Sequence, residues 1–260
     1  MASPATAAPQ SYYLALGDSL AFGFQPTKAR GGVAPRRFDS GYVDVFAARL
    51  RELAPGIEVV NYGCPGESLV TFVRGGCDWL REGGRLHDPF RGAQLAAALD
   101  FLRAHPGQVS PITVTLWGND LIGFEERCRN ELRCIRKRAP RALASIASRL
   151  RSILSQLRAA APDAELIATG AWNFEVDRIA RIDFLYRSLD KRISRAAAGA
   201  GARVADTRAL FNPRGGAAAV RARLCDYTFM CSQGDVHPKN KGYRAMADAF
   251  FEASGYAPTP

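Results

Sequence analysis

A serine, a histidine and an aspartate occupy positions from which they could act together as a nucleophile and its base. Ser19 is the first hydroxyl after the apolar run 12–16, which predicts a buried strand that ends at Gly17. A serine at the carboxyl end of a parallel strand lies where open α/β sheets bind ligands, and its own N–H can face the same spot. His237 suits a general base at neutral pH, and Asp235 is close enough in sequence to orient it. The alternative interpretation is structural, because serine is common in tight turns and aspartate commonly caps helices.

Two further positions could donate hydrogen bonds to an oxyanion. Gly66 follows the second apolar run and can present an unhindered backbone N–H, while Asn119 follows the third and can present its side-chain amide. The alternatives are a turn glycine and an Asx turn. These positions, with Ser19 and His237, each follow a different predicted strand, so a parallel sheet would gather them at one edge. The pattern therefore indicates acyl transfer through a serine nucleophile.

The apolar pattern alternates between strands and helices along the chain. Stripes of apolar residues at helical spacing alternate with short continuous apolar runs, which are typical of strands buried on both faces. This order predicts an α/β fold, a three-layer α/β/α sandwich around a doubly wound, five-stranded parallel sheet. We expect residues 1–10 to form a flexible tail and 11–260 a single domain, with Pro111 and Pro162 in turns that precede strands. The predicted strands lie at 12–16, 57–62, 112–116, 165–169 and 202–206.

Three segments that follow strands are longer than plain connections need. They carry aromatic and apolar side chains, as does the shorter stretch 172–174, so we expect them to wall an apolar cleft over the site. The alternative is that they are surface loops anchored by hydrophobic side chains. The segments are 25–40, 67–91 and 207–235, and the candidate substrate-binding residues are Trp117, Phe72 and Trp172.

Length and charge restrict the class of protein. The chain has 260 residues, 47% of them hydrophobic, which is enough for one sizeable core, and it has no run of 18 apolar residues. The 35 basic and 25 acidic residues give a net charge of +10. The basic residues are spread through the predicted helices, and the densest run, 133–138, contains no aromatic residue. We therefore expect no nucleic-acid partner, whereas transient contact with an anionic lipid interface stays open.

Six cysteines fall into three pairs that are close in sequence, none with the C-x-x-C spacing of zinc or redox sites. An even number in local pairs favours three disulfides that each close one loop, although other connectivities are open. Disulfides would indicate an oxidising compartment. The alternative is free, buried cysteines in a cytosolic protein. The local pairs are Cys64 with Cys77, Cys128 with Cys134, and Cys225 with Cys231.

Four sequence blocks, in order along the chain, resemble those of the SGNH/GDSL hydrolase family. No single block is specific, but four in the right order on matching strands make the resemblance strong, and it covers nearly the whole chain. The loop cysteines also resemble those of the secreted, disulfide-containing bacterial lipases and esterases of that family. The blocks are Gly17-Asp18-Ser19-Leu20, the segment from Asn61 to Gly66, Asn119-Asp120, and Asp235-Val236-His237-Pro238.

The resemblance implies a flavodoxin-like fold and a secreted serine carboxylester hydrolase, a lipase or esterase, that needs no metal or cofactor. It implies Ser19 as the nucleophile, His237 as the base and Asp235 as the acid, with an oxyanion hole formed by Ser19, Gly66 and Asn119. The expected partner is an ester or lipid substrate, and we expect a monomer. Two alternatives use the same site, a carbohydrate O-acetylesterase and a phospholipase. A third is a non-catalytic lipid- or surface-binding protein.

Two positions depart from the family pattern. The family usually has glycine two residues before the asparagine of the third block, where this chain has Trp117, which would narrow the cleft or stack over it. The family's acid usually lies three residues before the histidine, whereas Asp235 lies two before it and position 234 is glycine. Either the Asp235 carboxylate or a backbone carbonyl near it would then hold His237.

Overall fold

Five parallel strands form the centre of the computed structural model, which describes residues 8–29 and 38–256. They are β1 (Tyr12–Gly17), β2 (Glu58–Asn61), β3 (Val109–Thr115), β4 (Leu166–Thr169) and β5 (Arg203–Ala205). Their order in the sheet is β2-β1-β3-β4-β5, and every neighbouring pair is parallel. This is the flavodoxin-like order, in which ligands bind at the carboxyl edge where the strand order reverses, between β1 and β3. The predicted five-stranded parallel sheet is confirmed.

Helices connect the strands in the described part of the chain. Before β3 they are α1 (Ser19–Phe22), α2 (Pro26–Ala29), α3 (Tyr42–Leu53), α4 (Leu69–Arg74), α5 (Asp78–Arg81) and α6 (Gln94–Ala104). Between β3 and β5 they are α7 (Gly118–Arg127), α8 (Leu132–Ala160) and α9 (Ile179–Ala198). After β5 they are α10 (Thr207–Phe211), α11 (Gly216–Tyr227), α12 (Met230–Gln233) and α13 (Asn240–Ser254). None of these helices is both long and apolar enough to cross a membrane.

The long helices form a layer on each face of the sheet. On one face α3 packs against α13, where the rings of Tyr42 and Phe250 stack with their centroids 4.5 Å apart. On the other face α8 packs between α6 and α9. Because both faces are covered, residues 13–16 of β1 are completely buried, as a continuous apolar run predicts. The three predicted layers are therefore present.

β3 begins earlier than predicted, at Val109 rather than at residue 112. Pro111 therefore lies inside the strand and not in the turn before it, which corrects the sequence-based expectation. Proline has no N–H to donate to a strand ladder, so it is tolerated where the ladder is irregular. The register between β1 and β3 shifts between Tyr12 and Leu14, beside this proline.

The long segments that follow strands contain short helices rather than only loops. α2 lies in the first segment, α4 and α5 lie in the second, and α10 to α12 lie in the third. Residues 30–37 of the first segment are outside the described residues. Residues 1–7 of the predicted tail are also outside them, so the division into a tail and one domain stays a prediction.

Candidate active site

Ser19 lies just past the carboxyl end of β1, as the first residue of α1. The chain turns there at Gly17, which has a φ of +129°, and a Cβ on this residue would lie 2.3 Å from the Thr115 carbonyl oxygen. Asp18 caps the helix, because its Oδ1 accepts hydrogen bonds from the Leu20 N–H at 2.9 Å and the Thr115 hydroxyl at 3.1 Å. The local sequence therefore holds the Ser19 hydroxyl at the point where the strand order reverses.

His237 and Asp235 complete a chain of contacts to Ser19. His237 Nε2 lies 2.8 Å from the Ser19 Oγ, and His237 Nδ1 lies 2.7 Å from the Asp235 Oδ1. The same Oδ1 accepts the His237 backbone N–H at 2.8 Å, which is an Asx turn. This turn explains how an acid only two residues before the histidine reaches the imidazole. Of the two alternatives left open by that spacing, the carboxylate is the group in contact.

The Asp235 carboxylate is ionised at neutral pH. Its side chain is 26% exposed, and partial burial acts to raise its pKa. The hydrogen bonds from His237 and the charge of its imidazole outweigh burial, so the pKa of Asp235 is lower than usual. An ionised Asp235 can hold the N–H form of Nδ1 and leave Nε2 free to accept a proton from Ser19.

Contacts to the backbone and to the ring of His237 hold it in place. The Phe229 N–H donates to the His237 carbonyl at 3.0 Å. The ring of Phe24 packs against the imidazole with the centroids 4.6 Å apart, and the Tyr243 hydroxyl donates to the Phe24 carbonyl at 2.8 Å. Phe229 and Phe24, from two separate parts of the chain, therefore hold the base, and Tyr243 holds Phe24.

Three hydrogen-bond donors lie beside the Ser19 hydroxyl in one cleft. Across the residues that the structure describes, the backbone N–H groups of Ser19 and Gly66 donate to no protein group, so both are available to an oxyanion. Gly66 has a φ of +81°, and a Cβ there would lie 2.8 Å from the Asp78 Cβ, so this position requires glycine. Asn119 Nδ2 donates one hydrogen bond to the Glu67 carbonyl at 2.8 Å, which leaves its second amide hydrogen. The structure thus brings the three predicted oxyanion residues together.

A buried glutamine links these donors, and sequence reasoning missed it. Gln94, the first residue of α6, is fully buried; it accepts the Gly17 N–H at 2.6 Å and donates to the Gly17 carbonyl at 3.0 Å. Its Nε2 also donates to the Glu67 carboxylate at 3.0 Å. Because the Glu67 carbonyl holds Asn119, one side chain ties the nucleophile turn to the other two donors. In the sequence, Gln94 lies at the start of an amphipathic helix and belongs to no recognisable motif. Only the packing of α6 beside β1 therefore reveals its role.

Two buried carboxyls lie behind the donors. Burial raises the pKa of Glu67 to about 7 and that of Asp18 to about 6. The hydrogen bond from Gln94 to Glu67 acts against this rise, as do those from Leu20 and Thr115 to Asp18. Glu67 Oε1 is buried without a hydrogen-bond partner, so an ionised Glu67 is costly in this position.

Glu67 should make the free energy of unfolding depend on pH, and Glu67→Gln should remove that part. Unfolded Glu67 titrates near 4.5 and folded Glu67 near 7, so the folded state binds more protons between these values. Stability should therefore fall as pH rises from 4.5 to 7, by on the order of 1–3 kcal/mol from this residue. Urea unfolding at several pH values would measure it.

The control for this measurement is Glu82→Gln, which removes an exposed carboxyl and should keep the wild-type slope. Comparison between variants is needed because Asp18, with its own raised pKa, adds a similar dependence. An identical slope in Glu67→Gln and the wild type would show that the Glu67 carboxyl does not resist ionisation.

An apolar cleft of about 170 Å³ opens beside Ser19 and His237. Trp117 and Trp172 line it, as predicted, and meet edge to face with their ring centroids 5.1 Å apart. Phe174 stacks on Trp117 at 6.5 Å. The residue that replaces the family's usual glycine therefore forms part of the cleft wall. Sequence reasoning did not single out Phe24, Ile122 and Val236, which also line the cleft and lie within five residues of a predicted site residue.

The prediction that Phe72 contacts substrate is wrong. Its side chain is completely buried in the main hydrophobic core and does not line the cleft. Phe72 lies in a segment predicted to be a long loop, whereas this stretch forms α4, in which Leu69 and Phe72 are the buried residues. Their i, i+3 spacing places both on the inward face of the helix, and the next residue, Val73, is 47% exposed.

The three predicted disulfides are present in the predicted pairs. The bond between Cys64 and Cys77 closes the segment that carries Gly66, and the one between Cys225 and Cys231 precedes the His237 loop. Within the described ranges, Cys64, Cys77 and Glu67 also lie close enough together to resemble a metal site. Because the two sulfurs are bonded to each other, neither thiolate is available as a ligand.

The Ser19 hydroxyl is hydrogen-bonded to His237, Asp235 orients that histidine, and unpaired N–H donors lie beside them. This arrangement defines a serine hydrolase. The fold is a flavodoxin-like sheet, and the serine does not stand in the Gly-x-Ser-x-Gly turn of the α/β-hydrolases. Residues 15–245 match the model of the GDSL-like lipase/acylhydrolase family. The chain therefore belongs to this family and is a carboxylic ester hydrolase, as the sequence blocks predicted.

Solved structures share the fold over almost the whole chain. A lipase from a goat rumen metagenome is 19% identical, with 95% of this chain and 98% of that chain covered and a TM-score of 0.63. The acetylxylan esterase Axe2 from Geobacillus stearothermophilus is 16% identical, with 98% and 99% covered and a TM-score of 0.60. Phospholipase A1 from Streptomyces albidoflavus is 20% identical, with 94% and 99% covered and a TM-score of 0.60. No curated protein matches the chain in sequence.

Proposed function

We propose that this ester hydrolase is a secreted lipase or esterase that transfers the acyl group of its substrate first to Ser19 and then to water. The observation that carries the proposal is the chain of contacts from Asp235 through His237 to the Ser19 Oγ, at 2.7 and 2.8 Å, at the edge of an apolar cleft. Three disulfides support secretion, because such bonds persist in oxidising compartments.

The reaction begins when His237 Nε2 accepts the Ser19 proton and the Oγ bonds to the ester carbonyl carbon. The carbonyl π electrons move onto oxygen, and the N–H groups of Ser19, Gly66 and Asn119 stabilise this oxyanion. The oxyanion then re-forms the carbonyl, the bond to the alcohol oxygen breaks, and His237 gives its proton to that oxygen. A water molecule, deprotonated by His237, attacks the acyl-enzyme in the same way, and the acid leaves as Ser19 regains its proton. Asp235 stabilises the imidazolium that forms in each half of the reaction.

Proton transfer decides where the two halves of the ester lie. The leaving oxygen must be near His237 Nε2, so the alcohol half lies beside Phe24 and Val236, which line the cleft next to the imidazole. The acyl half then lies along the other wall, formed by Trp117 and Trp172.

The chemistry of the cleft favours an apolar acyl chain. Apart from Asp18, which caps α1, and the base itself, no charged side chain of the described residues lines the cleft. Its walls are aromatic and aliphatic, and each methylene that they remove from water contributes up to about 0.8 kcal/mol.

A carbohydrate O-acetylesterase is the second candidate. Trp117 and Trp172 line the cleft, and the parts of their indole rings that reach it would also pack against a sugar ring. The similar structure of an acetylxylan esterase is consistent with this alternative, as that of a phospholipase A1 is with a phospholipase on the same site.

Hydrolysis of p-nitrophenyl esters from acetate to palmitate by the oxidised wild-type protein tests the proposal. We expect kcat/KM to be greatest for an acyl chain longer than acetyl. Turnover confined to acetyl esters and acetylated xylo-oligosaccharides would favour the O-acetylesterase instead. Release of fatty acid from phospholipids alone would identify a phospholipase, and no turnover of any of these esters would contradict the proposal.

Asn119→Ala should lower kcat by about 10²–10³-fold with little change in KM. The lost N–H interacts mainly with the oxyanion, which exists in the transition state and not in the bound ester. A trifluoromethyl ketone forms an adduct with Ser19 that carries an oxyanion. In the variant, its inhibition constant should rise by about the same factor as kcat/KM falls. The unfolding temperature serves as the control, because Asn119 also holds the Glu67 carbonyl. Unchanged kcat in a folded variant would remove Asn119 from the oxyanion hole.

A further inference from the structure

The net positive charge of the protein is concentrated on two neighbouring helices. α8 contains eight basic residues and no acidic one, and α9 contains five basic and two acidic residues. Together they carry a net charge of +11, so the remainder of the chain, with 22 basic and 23 acidic residues, is almost neutral. The solvent-facing side of α8 and α9 is called the basic face below.

Few of these charges are neutralised within the protein. Among the described ion pairs, only Arg149 and Arg187 on these helices have a carboxylate within 4.0 Å. The two acidic residues of α9 are already engaged, since Asp183 pairs with Arg187 and Arg208, and Asp190 accepts the Ala171 N–H at 2.9 Å. The basic face therefore attracts anions from solution.

The basic face is long and its charges are spread along it. The two helices run side by side in the same direction: Arg136 of α8 lies over Phe184 of α9 at 5.7 Å, and Arg158 donates to the Gly201 carbonyl, just past the end of α9, at 2.8 Å. Between these points a shallow groove lies between the helices. The 29 residues of α8 extend for roughly 43 Å. Charges spread over this length match a surface with many anions better than a single small anion.

The groove brings together cations from both helices of the basic face. Arg151 lines it from α8, and Arg192 and Arg195 line it from α9, with Ser148 beside them. Within the described residues, none of these three arginines has a carboxylate within 4.0 Å. Guanidinium groups donate two parallel hydrogen bonds to a phosphate, which lysine cannot do.

One end of the basic face reaches the edge of the sheet that carries the active site. α8 begins just after α7, which starts at the carboxyl end of β3, and α9 begins seven residues after Trp172 in the cleft wall. Phe184 lies in the first turns of α9, and it is 38% exposed although it is a large apolar side chain. An exposed aromatic ring beside arginines suits the boundary between lipid headgroups and acyl chains.

We propose that the basic face binds the phosphate groups of an anionic lipid surface and holds the cleft at the border of that surface. The inference rests on the proposed function, because such a surface would supply the acyl esters that the cleft accepts. A lipid surface fits better than a nucleic acid for two reasons: the face ends at an ester-cleaving site, and its exposed ring stands at that end. Each basic residue near an anionic membrane strengthens binding severalfold, and salt weakens the attraction.

Binding to lipid vesicles tests this proposal in a protein that cannot hydrolyse them, the Ser19→Ala variant. In low salt, this protein should bind vesicles of phosphatidylcholine with 30 mol% phosphatidylglycerol and leave vesicles of phosphatidylcholine alone unbound. The test variant adds Arg151→Gln, Arg192→Gln and Arg195→Gln, and it should bind about 100-fold more weakly. The matched control adds Arg51→Gln, Arg91→Gln and Arg244→Gln, which remove three exposed charges elsewhere and should change binding less than about tenfold.

Turnover of the soluble ester p-nitrophenyl butyrate, with Ser19 restored, separates this inference from the proposed function. The groove variant should keep wild-type turnover, because its three arginines lie outside the cleft. If vesicle binding weakens equally in the groove and control variants, the net charge of the protein alone determines binding, and the proposal is overturned. Equal binding to neutral vesicles, or tighter binding to a DNA duplex than to anionic vesicles at the same salt, would also overturn it. A wild type that binds anionic vesicles but cleaves no ester would contradict the proposed function and leave the lipid-binding face in place.

Discussion

Ser19→Ala should lower kcat for carboxylic esters by about 10⁴–10⁶-fold while the protein stays folded. The Ser19 Oγ lies 2.8 Å from His237 Nε2, so its removal leaves the base without a nucleophile to activate. Because no acyl-enzyme can form, water must attack the ester directly, and no residue positions that water. The Asp18 cap and the Gly17 turn do not use the Ser19 hydroxyl, so the unfolding temperature should change little.

Covalent labelling shows whether Ser19 is the residue that reacts. A fluorophosphonate should modify the wild type at Ser19, as peptide mass spectrometry can locate, and should leave Ser19→Ala unmodified. Ser155→Ala is the matched control, because it removes an exposed hydroxyl from α8 and should keep both turnover and labelling. Turnover within tenfold of the wild type in Ser19→Ala, or labelling at another serine, would refute the assignment.

Asp235→Asn should lower kcat by about 10²–10⁴-fold, a loss of a size typical for the orienting acid of such a triad. The Asp235 Oδ1 accepts both the His237 backbone N–H and the hydrogen on Nδ1, at 2.8 and 2.7 Å. An asparagine oxygen can keep the backbone contact and hence the loop. If its NH₂ group then faces Nδ1, the proton moves to Nε2, where the imidazole can no longer accept the Ser19 proton.

Two comparisons make the Asp235 prediction specific. Asp235→Ala should be no more damaging than Asp235→Asn, because it removes the carboxylate without placing a donor against Nδ1. Asp177→Asn removes a carboxylate whose side chain is 84% exposed, and it should leave kcat unchanged. If Asp235→Asn retains more than a tenth of wild-type kcat, a group other than this carboxylate orients His237, such as the backbone carbonyl that the unusual spacing left open.

The elements and the site residues differ in how far the sequence predicts them. Apolar runs bounded by glycine and polar residues located all five strands to within a few residues, because strands covered on both faces must be continuously apolar. The largest error in a boundary concerns β3, where Pro111 indicated a turn although a shift of register admits it into the strand. Likewise, the position of Phe72 in a long connecting segment predicts a cleft residue, but the helical spacing of α4 turns its side chain into the core.

The role of Gln94 cannot be predicted from local sequence patterns. It is fully buried, and its contacts with Gly17 and Glu67 join residues 77 and 27 positions away in the chain. In the sequence it is a polar residue at the start of an amphipathic helix, a position where glutamine is ordinary. Its importance comes from two hydrogen bonds to a turn that it meets only after the sheet has formed.

The class of chemistry and the edge of the sheet where it takes place follow from the order of residues along the chain. Nucleophile, base and oxyanion donors each follow an apolar run, and parallel strands bring their carboxyl ends together whatever the details of packing. Which groups are in contact depends on how the elements pack. The Asp235 carboxylate orients His237, Trp117 and Trp172 wall the cleft, and the positive charge gathers on α8 and α9. Distances of a few ångströms between residues as far apart as Ser19 and His237 depend on how every helix packs, and local spacing does not contain that information.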